Sequence, residues 1–185
     1  MGIYAAMLRS INVGGRNRVA MADLSALVSS LGFEDVTTYV QSGNVVFRGT
    51  GTSRTVAGRI ADQIAADLGL SVAVLVRSQR ELRAILAGNP YADAGAEPTL
   101  HHVTLLAETP DPDRVAKLAD QDGRFGEDHC QVLGQDVYLY CPGGYGRTKL
   151  NNAYLERNLG VVATTRNWRT LVTLADMCGI PAPGS

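Results

Sequence analysis

The chain has 185 residues, of which 45% are apolar and 19% are charged, and its formal net charge is −1. Such a composition is ordinary for a globular protein with one full core or two small ones. The apolar run at 3–8 is too short to cross a bilayer, and the N-terminus lacks the basic segment and cleavage site of a secretory signal. We therefore expect a cytoplasmic protein without a membrane partner.

Strand and helix signals alternate along the first half of the chain. A helix is indicated where apolar residues recur at i, i+3, i+4 and i+7, as Leu24, Leu27, Val28 and Leu31 do. The predicted elements are a strand at 3–9, a helix at 21–31, two strands joined at 41–44, a helix at 54–68, a strand at 71–77 and a short helix at 79–87. This order is that of the split β-α-β, or ferredoxin-like, arrangement.

The same order of elements returns in the second half, without obvious sequence identity between the halves. The predicted elements are a strand at 101–108, a helix at 111–120, two strands at 129–133 and 136–141, a helix at 148–158 and a final helix at 166–178. The segment GVVATTRN shows no clear strand before the final helix. We predict an α+β fold of two ferredoxin-like halves, 1–90 and 98–185, that form one compact unit, with 89–97 as the linker and a helix ending the second half.

The first predicted strand is apolar on both of its faces, since IYAAML at 3–8 contains no polar alternation. A strand of this kind is covered on both sides. Either the two halves close on each other or the sheet meets a second subunit, which makes a homodimer possible. The sequence also lacks the basic-glycine-aromatic run of the RNA-recognition fold, so we do not expect RNA to bind across this sheet.

Charge is distributed unevenly along the chain. Residues 1–90 carry nine basic and six acidic side chains, residues 91–136 carry three and ten, and residues 147–169 carry five and one. The three sums are therefore +3, −7 and +4. Segregation of this kind indicates either an anionic partner or solvated charged faces.

The cysteines and histidines do not form a recognisable metal or catalytic site. Cys130, Cys141 and Cys178 lie far apart, without a Cys-x-x-Cys pair, and are expected to be free thiols. His101 and His102 are neighbours on one strand and so point to opposite faces. No histidine–carboxylate cluster has ligand spacing, and no nucleophile has an evident base. We predict neither a metal nor another cofactor, and no reaction can be assigned.

Two segments of the first half have the composition of a binding loop. SINVGGRNRV at 10–19 combines paired glycines with asparagines and arginines, and glycine-freed backbone amides can form anion-binding nests. It matches neither the dinucleotide nor the Walker pattern, and a strand-to-helix connection that needs glycine is the alternative. At the hairpin tip, turn chemistry accounts for Gly43 and Asn44, whereas Gln41 and Ser42 are not demanded by the turn.

GGYGRTKLNN, at 143–152, resembles a phosphate loop, but it has Gly-x-Thr-Lys where a Walker loop has Gly-Lys-Thr. A nucleoside triphosphatase is therefore not expected. Thr148 is predicted to cap the following helix, with Asn151 at its third position. This arrangement places Arg147 and Lys149 at a helix N-terminus, where the backbone dipole disfavours cations.

A second helix is predicted to begin in the same way, within ATTRNWRT at 163–170. Here Thr165 would cap the helix, Arg166 would stand in its first turn, and Asn167 would follow. An anion bound at each helix start would explain the two cations. The alternative is that Lys149 and Arg166 pair with carboxylates of the acidic segment 108–128. Both explanations remain open at this point.

Two blocks of the sequence carry a family resemblance. They are LRSINVGGRNRVAMADLSALVSSLGFEDVTTYVQSGNVVF and TKLNNAYLERNLGVVATTRNWRTLVTLADM. The chain resembles the bacterial family called domain of unknown function 1697 over nearly its whole length. The resemblance implies a compact two-part α+β protein and provides no catalytic residue.

These observations favour a protein that binds an anionic ligand, either a nucleotide or the phosphates of a nucleic acid. The alternatives are an enzyme acting on a phosphorylated or carboxylated small molecule and a non-catalytic module that dimerises through its sheet. The candidate ligand-binding residues are Arg9, Asn12, Gly14, Gly15, Arg16, Asn17, Gln41, Ser42, Asn44, Arg147, Lys149, Asn151, Arg166 and Asn167.

Overall fold

The computed structural model describes residues 1–14, 17–91 and 97–181. Within these ranges the strands and α-helices are β1 (Gly2–Leu8), α1 (Met21–Ser30), β2 (Glu34–Tyr39), β3 (Asn44–Gly49), α2 (Ser53–Leu68), β4 (Val74–Ser78), α3 (Gln79–Ala87), β5 (His101–Leu106), α4 (Pro112–Ala119), β6 (His129–Leu133), β7 (Asp136–Tyr140), α5 (Asn152–Leu159), β8 (Ala163–Asn167) and α6 (Trp168–Met177). None of these helices is both long and apolar enough to span a membrane.

The strands form two four-stranded antiparallel sheets in the described part of the chain, so the predicted α+β class is confirmed. The first sheet has the order β2-β3-β1-β4 and the second has the order β6-β7-β5-β8. The chain divides into two compact units. The first unit contains residues 1–84 and the chain from Thr173 onward, and the second contains residues 85–172.

In the first unit, one face of the sheet packs against α1 and α2 to form a core. Alternate residues of β1, among them Ala6 and Leu8, face this core with Leu24 of α1 and Ile60 of α2. Helix α2 begins at Ser53, one residue before its predicted start, because the Thr52 hydroxyl caps it by accepting a hydrogen bond from the Thr55 backbone at 3.2 Å. The buried residues of α2, Val56, Ile60 and Ile64, recur every four positions and so lie on one face of the helix.

The other face of β1 is also buried over most of its length, as its apolar sequence predicts. Ala5 and Met7 alternate with the core residues and are completely inaccessible to solvent in the single chain. The Leu75 side chain of the neighbouring strand is 2% exposed. On this face Ala5 and Met7 are thus buried in the single chain, whereas Ile3 is half-buried.

The second unit has its own core between the second sheet and helices α4 and α5. Leu106, Leu118, Val137 and Leu155 are buried there. Helix α4 begins at Pro112 because Asp111 accepts hydrogen bonds from the next backbone amides and proline suits the first helical position.

Two predicted helix starts in the second unit are wrong. A strand, β8, occupies Ala163–Asn167, where the sequence shows no clear strand, and the final helix begins at Trp168 instead of residue 166. The helix predicted from residue 148 begins at Asn152, after a short 3-10 turn at Tyr145–Arg147. In both cases an asparagine further along the chain, and not the predicted threonine, caps the helix.

The two sheets share one detail at their β4 and β8 edges. Arg77 and Arg166 occupy the penultimate positions of these strands and are 5% and 8% exposed. In each case the next residue begins a helix: Ser78 accepts a hydrogen bond from the Glu81 backbone, and Asn167 accepts one from the Thr170 backbone. The correspondence between the halves therefore extends to the strand-to-helix junction.

Helix α3 begins with a capping box in which Glu81 binds three donors. Its Oε2 atom accepts hydrogen bonds from the Ser78 backbone at 2.6 Å, the Ser78 hydroxyl at 2.7 Å and the Ser53 hydroxyl at 2.6 Å. Burial acts to raise the pKa of Glu81, but the hydrogen bonds from Ser53 and Ser78, with the charge of Arg77, outweigh burial and lower it. The ionised carboxylate thus joins the starts of α2 and α3.

We expect Glu81→Gln to destabilise the protein by about 1–2 kcal/mol at pH 7, because a charged acceptor is lost while the side-chain shape is kept. A carboxylate whose folded pKa is lowered stabilises the fold above its unfolded pKa, and this contribution is lost as pH falls through the folded pKa. Urea unfolding should therefore show that the difference between wild type and variant shrinks toward pH 3.

The exposed carboxylate of Glu34 provides the control, and Glu34→Gln should change the free energy of unfolding at pH 7 by less than about 0.5 kcal/mol. A difference between wild type and Glu81→Gln that stayed constant with pH would contradict a role for the charge.

Candidate functional site

The loop that follows β1 is closed by the side chain of Asn12. Its Nδ2 atom donates to the Val19 carbonyl at 2.9 Å, and its Oδ1 atom accepts from the Val19 backbone at 2.9 Å. The Asn12 backbone donates to the Asn17 carbonyl at 3.2 Å, and the Asn17 side chain donates to the Ser10 carbonyl at 3.3 Å. The two asparagines therefore replace the backbone pairing that an irregular loop lacks.

The same asparagine joins this loop to the tip of the β2–β3 hairpin. Asn12 Nδ2 also donates to the Gln41 carbonyl at 2.8 Å, and the Leu8 backbone donates to the Gly43 carbonyl at 2.9 Å. A Cβ atom on Gly43 would collide with Ile11 Cδ1, so only glycine permits this approach. We call residues 9–14, 17–19 and 40–44 the loop-hairpin surface.

Asn44 is a structural residue of this surface. It is completely buried, and its Nδ2 atom donates to the Tyr39 carbonyl at 3.1 Å and to Ser42 Oγ at 3.0 Å. Gln41 and Ser42 are exposed beside it. The described loops that contain the predicted ligand-binding residues of the first unit are thus joined, but the asparagines serve to hold these loops in place.

Unusual backbone conformations concentrate at the loop-hairpin surface. Ser10, Asn12, Asn17 and Val40 have φ angles of 54°, 55°, 47° and 50°. Each such residue costs about 1–2 kcal/mol relative to a right-handed conformation, and a branched side chain such as that of Val40 tolerates it least. Strained backbone that is fixed by surrounding hydrogen bonds is often associated with binding sites.

The ionisable groups of the described loop-hairpin surface are basic. Arg9 is half-buried and donates to Ser10 Oγ at 3.4 Å, and Arg18 is exposed. Residues 9–20 and 40–44 contain no aspartate or glutamate. Gly14 is exposed, whereas the predicted Gly15 and Arg16 lie outside the described residues.

In the second unit, the predicted cations do not start helices. Arg147 ends the 3-10 turn, Lys149 lies two residues before the cap of α5, and both side chains are exposed. The cap itself is Asn151, whose Oδ1 atom accepts from the Tyr154 backbone at 3.0 Å. Thr148 is buried and accepts instead from the Leu150 backbone.

Arg166 is a strand residue of β8, so it does not stand in the first turn of a helix, where the dipole would disfavour a cation. It is 8% exposed and donates through Nη1 to Thr164 Oγ1 and to the Thr165 carbonyl, both at 2.9 Å. Burial lowers the pKa of Arg166 to about 10, so the side chain remains a cation at neutral pH. The exposed Asn167 caps the last helix.

A partly buried polar cluster in the second unit joins β5, the turn at Tyr145–Arg147, α5 and β8. The Thr165 hydroxyl contacts Asn152 Oδ1 and the Thr104 hydroxyl, each at 2.7 Å. The Tyr145 ring stacks on His102 at 4.5 Å between ring centroids. Sequence reasoning missed this cluster, although the inward alternation of His102 and Thr104 along an otherwise apolar strand was a signal for it.

Cys141 and Cys178 are buried thiols. Burial raises the pKa of Cys141 to about 11, outweighing the hydrogen bond from Thr148, and burial raises the pKa of Cys178 to about 12. Both groups are thus poor nucleophiles at neutral pH. All three cysteines are free thiols. Among the described residues, no group of three or more ionisable metal ligands could hold an ion.

Comparisons with known proteins are consistent with this fold. A family model described as "Protein of unknown function (DUF1697)" matches residues 1–138, and the match ends before the segment TKLNN. The solved structure of the conserved bacterial protein SP0830 from Streptococcus pneumoniae is similar, with a TM-score of 0.75, 22% identity and coverage of 96% of this chain and 98% of that chain. At this identity the likeness supports the fold alone. None of the curated proteins matches the chain.

We expect Gly43→Ala to destabilise the protein by about 2–4 kcal/mol, because a side chain there is strained at φ 76° and also meets Ile11. Gly14→Ala is the matched control. Gly14 has a similar φ of 59°, but no atom lies near the position that a methyl group would take, so about 1–2 kcal/mol is expected. Equal losses in thermal or urea unfolding would show that the approach to Ile11 is not required.

Protonation of His102 should destabilise the fold. Burial lowers the pKa of His102 below its ordinary value of 6.5, and the nearby His101 adds to this effect. The unfolded chain therefore binds the proton more readily, and stability should fall as pH drops below about 6.5. His102→Phe keeps a ring against Tyr145 but removes the group that titrates. The free energy of unfolding of this variant relative to wild type should therefore rise as the pH is lowered from 7.5 to 5.0. Parallel pH curves for the two proteins in urea unfolding would contradict this expectation.

Proposed function

The chain belongs to DUF1697, a family of proteins of unknown function, and from its own geometry we propose that it binds a phosphate-bearing ligand, either a nucleotide or a nucleic acid. The binding site is the loop-hairpin surface. The observation that carries the proposal is the bond from Asn12 to Gln41, which holds two loops without acidic residues beside Arg9 and Arg18.

Backbone geometry supports an anion in preference to a neutral ligand. Positive φ angles recur at Ser10, Asn12 and Gly14. Alternation of this kind turns backbone N–H groups toward one side and forms concave sites that favour negative charge. Guanidinium groups at the rim add charge and can bind phosphate oxygens in a bidentate way.

The division of roles follows from the hydrogen bonds. Asn12 and Asn44 use their amides to fix the loops, so the ligand is contacted by Arg9, Arg18 and the exposed Gln41. Because the described loop-hairpin surface contains no histidine, aspartate or glutamate, we propose binding and not acid–base catalysis there.

We also propose the ferredoxin-like arrangement for both halves. In each sheet the first strand pairs antiparallel with the third and with the fourth, which supports it. The limits 1–90 and 98–185 and a cytoplasmic location are proposed in addition. The three free cysteines support a reducing compartment.

The proposal is tested by fluorescence anisotropy with a labelled single-stranded oligonucleotide and by thermal shift with ATP and tripolyphosphate at low salt. We expect stabilisation, and we expect the double variant Arg9→Gln, Arg18→Gln to weaken binding at least about tenfold. For the oligonucleotide, loss of two phosphate contacts should lower the slope of log affinity against log salt by about 1–2.

The exposed Arg54 of α2 provides the control for the single variants Arg9→Gln and Arg18→Gln. Arg54→Gln removes one positive charge, as each of them does, but outside the proposed site. If neither the oligonucleotide nor the phosphates bind at low salt, the proposal is wrong. It is equally wrong if Arg54→Gln weakens binding as much as either substitution in the site.

A further inference from the structure

The first unit contains a groove of about 550 Å³ that shares no residue with the loop-hairpin surface. Its walls include Ile3, Val46 and Met177, and its polar groups are Asp35, Thr37 and Arg48. Ile3 and Val46 alternate along their strands with the core residues Tyr4 and Phe47, so they face away from the helix-covered core. A cavity of this size accommodates a small organic ligand.

A β-bulge shapes one rim of this groove. Between the pairs Glu34–Arg48 and Thr37–Val46, two residues of β2 stand opposite one residue of β3. Asp35 lies in the bulge with a φ angle of 51°. Bulges redirect side chains and are frequent beside binding sites. Here the bulge brings the carboxylate of Asp35 to the guanidinium of Arg48.

The two charges are held together only loosely. Asp35 Oδ2 and Arg48 Nη1 are 3.6 Å apart, and the side chains are 71% and 53% exposed, respectively. Charge-assisted hydrogen bonds between such groups are normally about 2.7–2.9 Å long. An exposed pair with this geometry contributes little to stability, so a ligand can separate the two groups at small cost.

We infer that this groove binds a free α-amino acid with an apolar side chain. Arg48 binds the carboxylate, Asp35 binds the ammonium group, and the apolar walls at Ile3, Val46 and Met177 cover the side chain. A zwitterion is favoured because it satisfies both members of the ion pair that it separates. A simple acid would leave Asp35 beside a second carboxylate, and a simple amine would leave Arg48 beside a second cation.

Isothermal titration calorimetry on the full chain tests this inference with L-leucine, L-methionine and L-phenylalanine as ligands. 4-Methylpentanoate and isopentylamine retain the apolar group of leucine but carry only one charge, and glycine carries both charges without a side chain. We expect each of these three compounds to bind at least about tenfold more weakly than L-leucine.

Two substitutions address the charged groups. Asp35→Asn keeps a residue that tolerates positive φ, so the bulge is retained while the charge is removed. Arg48→Gln removes the other charge. Each should weaken binding of L-leucine at least about tenfold, whereas Arg54→Gln on α2 should leave it unchanged. Circular dichroism and thermal unfolding establish that the variants are folded.

Three results would overturn the inference. The first is that none of the three amino acids binds at millimolar concentration. The second is that 4-methylpentanoate or isopentylamine binds as tightly as L-leucine, since a single charge would then suffice. The third is that folded Asp35→Asn or Arg48→Gln retains wild-type affinity.

Discussion

The two central strands, β1 and β5, are paired along both edges, and both faces are buried along all of β5 and from Tyr4 onward in β1. Each is hydrogen-bonded to an antiparallel neighbour on either side, and every residue of β5 is buried. A strand in this position cannot present a polar group to a ligand without losing a core contact. The two sites that we propose lie accordingly at connecting loops, in the case of the loop-hairpin surface, and near strand ends, in the case of the Asp35–Arg48 groove, where Ile3 of β1 is only half-buried.

Asparagine side chains allow those connections to take irregular paths. An amide carries both a donor and an acceptor, as a peptide group does, so it can replace backbone pairing where the chain turns. Asn12 closes a loop in this way, Asn44 fixes a hairpin tip, and Asn151 and Asn167 begin helices. Because these residues satisfy backbone groups, their presence in the recognisable segments is accounted for by the fold and need not indicate ligand contact.

Much of the fold could be predicted from the sequence because the strong signals are local. The helix at Met21–Ser30 and the hairpin around Gly43 follow from apolar periodicity and turn residues. The second unit was harder because both Thr148 and Asn151 are good cap formers, and only the preceding 3-10 turn decides between them. Strand β8 was missed because its sequence, ATTRN, lacks apolar alternation, and its stability comes from pairing with β5.

The candidate sites were predicted less completely because they depend on contacts between distant residues. Arg9 and the hairpin tip could be named from composition. Their closeness in space depends on the hydrogen bond from Asn12 to the Gln41 carbonyl, which joins residues 29 positions apart in the sequence. Asp35 gave no signal, since its position is set by a bulge that only strand pairing reveals. Asn12, Gly43 and Asn152 therefore hold connections of the fold in place, whereas the ligand specificity that we propose rests on exposed charges. The family resemblance is carried by segments that contain these structural residues, so it predicts the architecture. The ligand has to be inferred from the exposed charges.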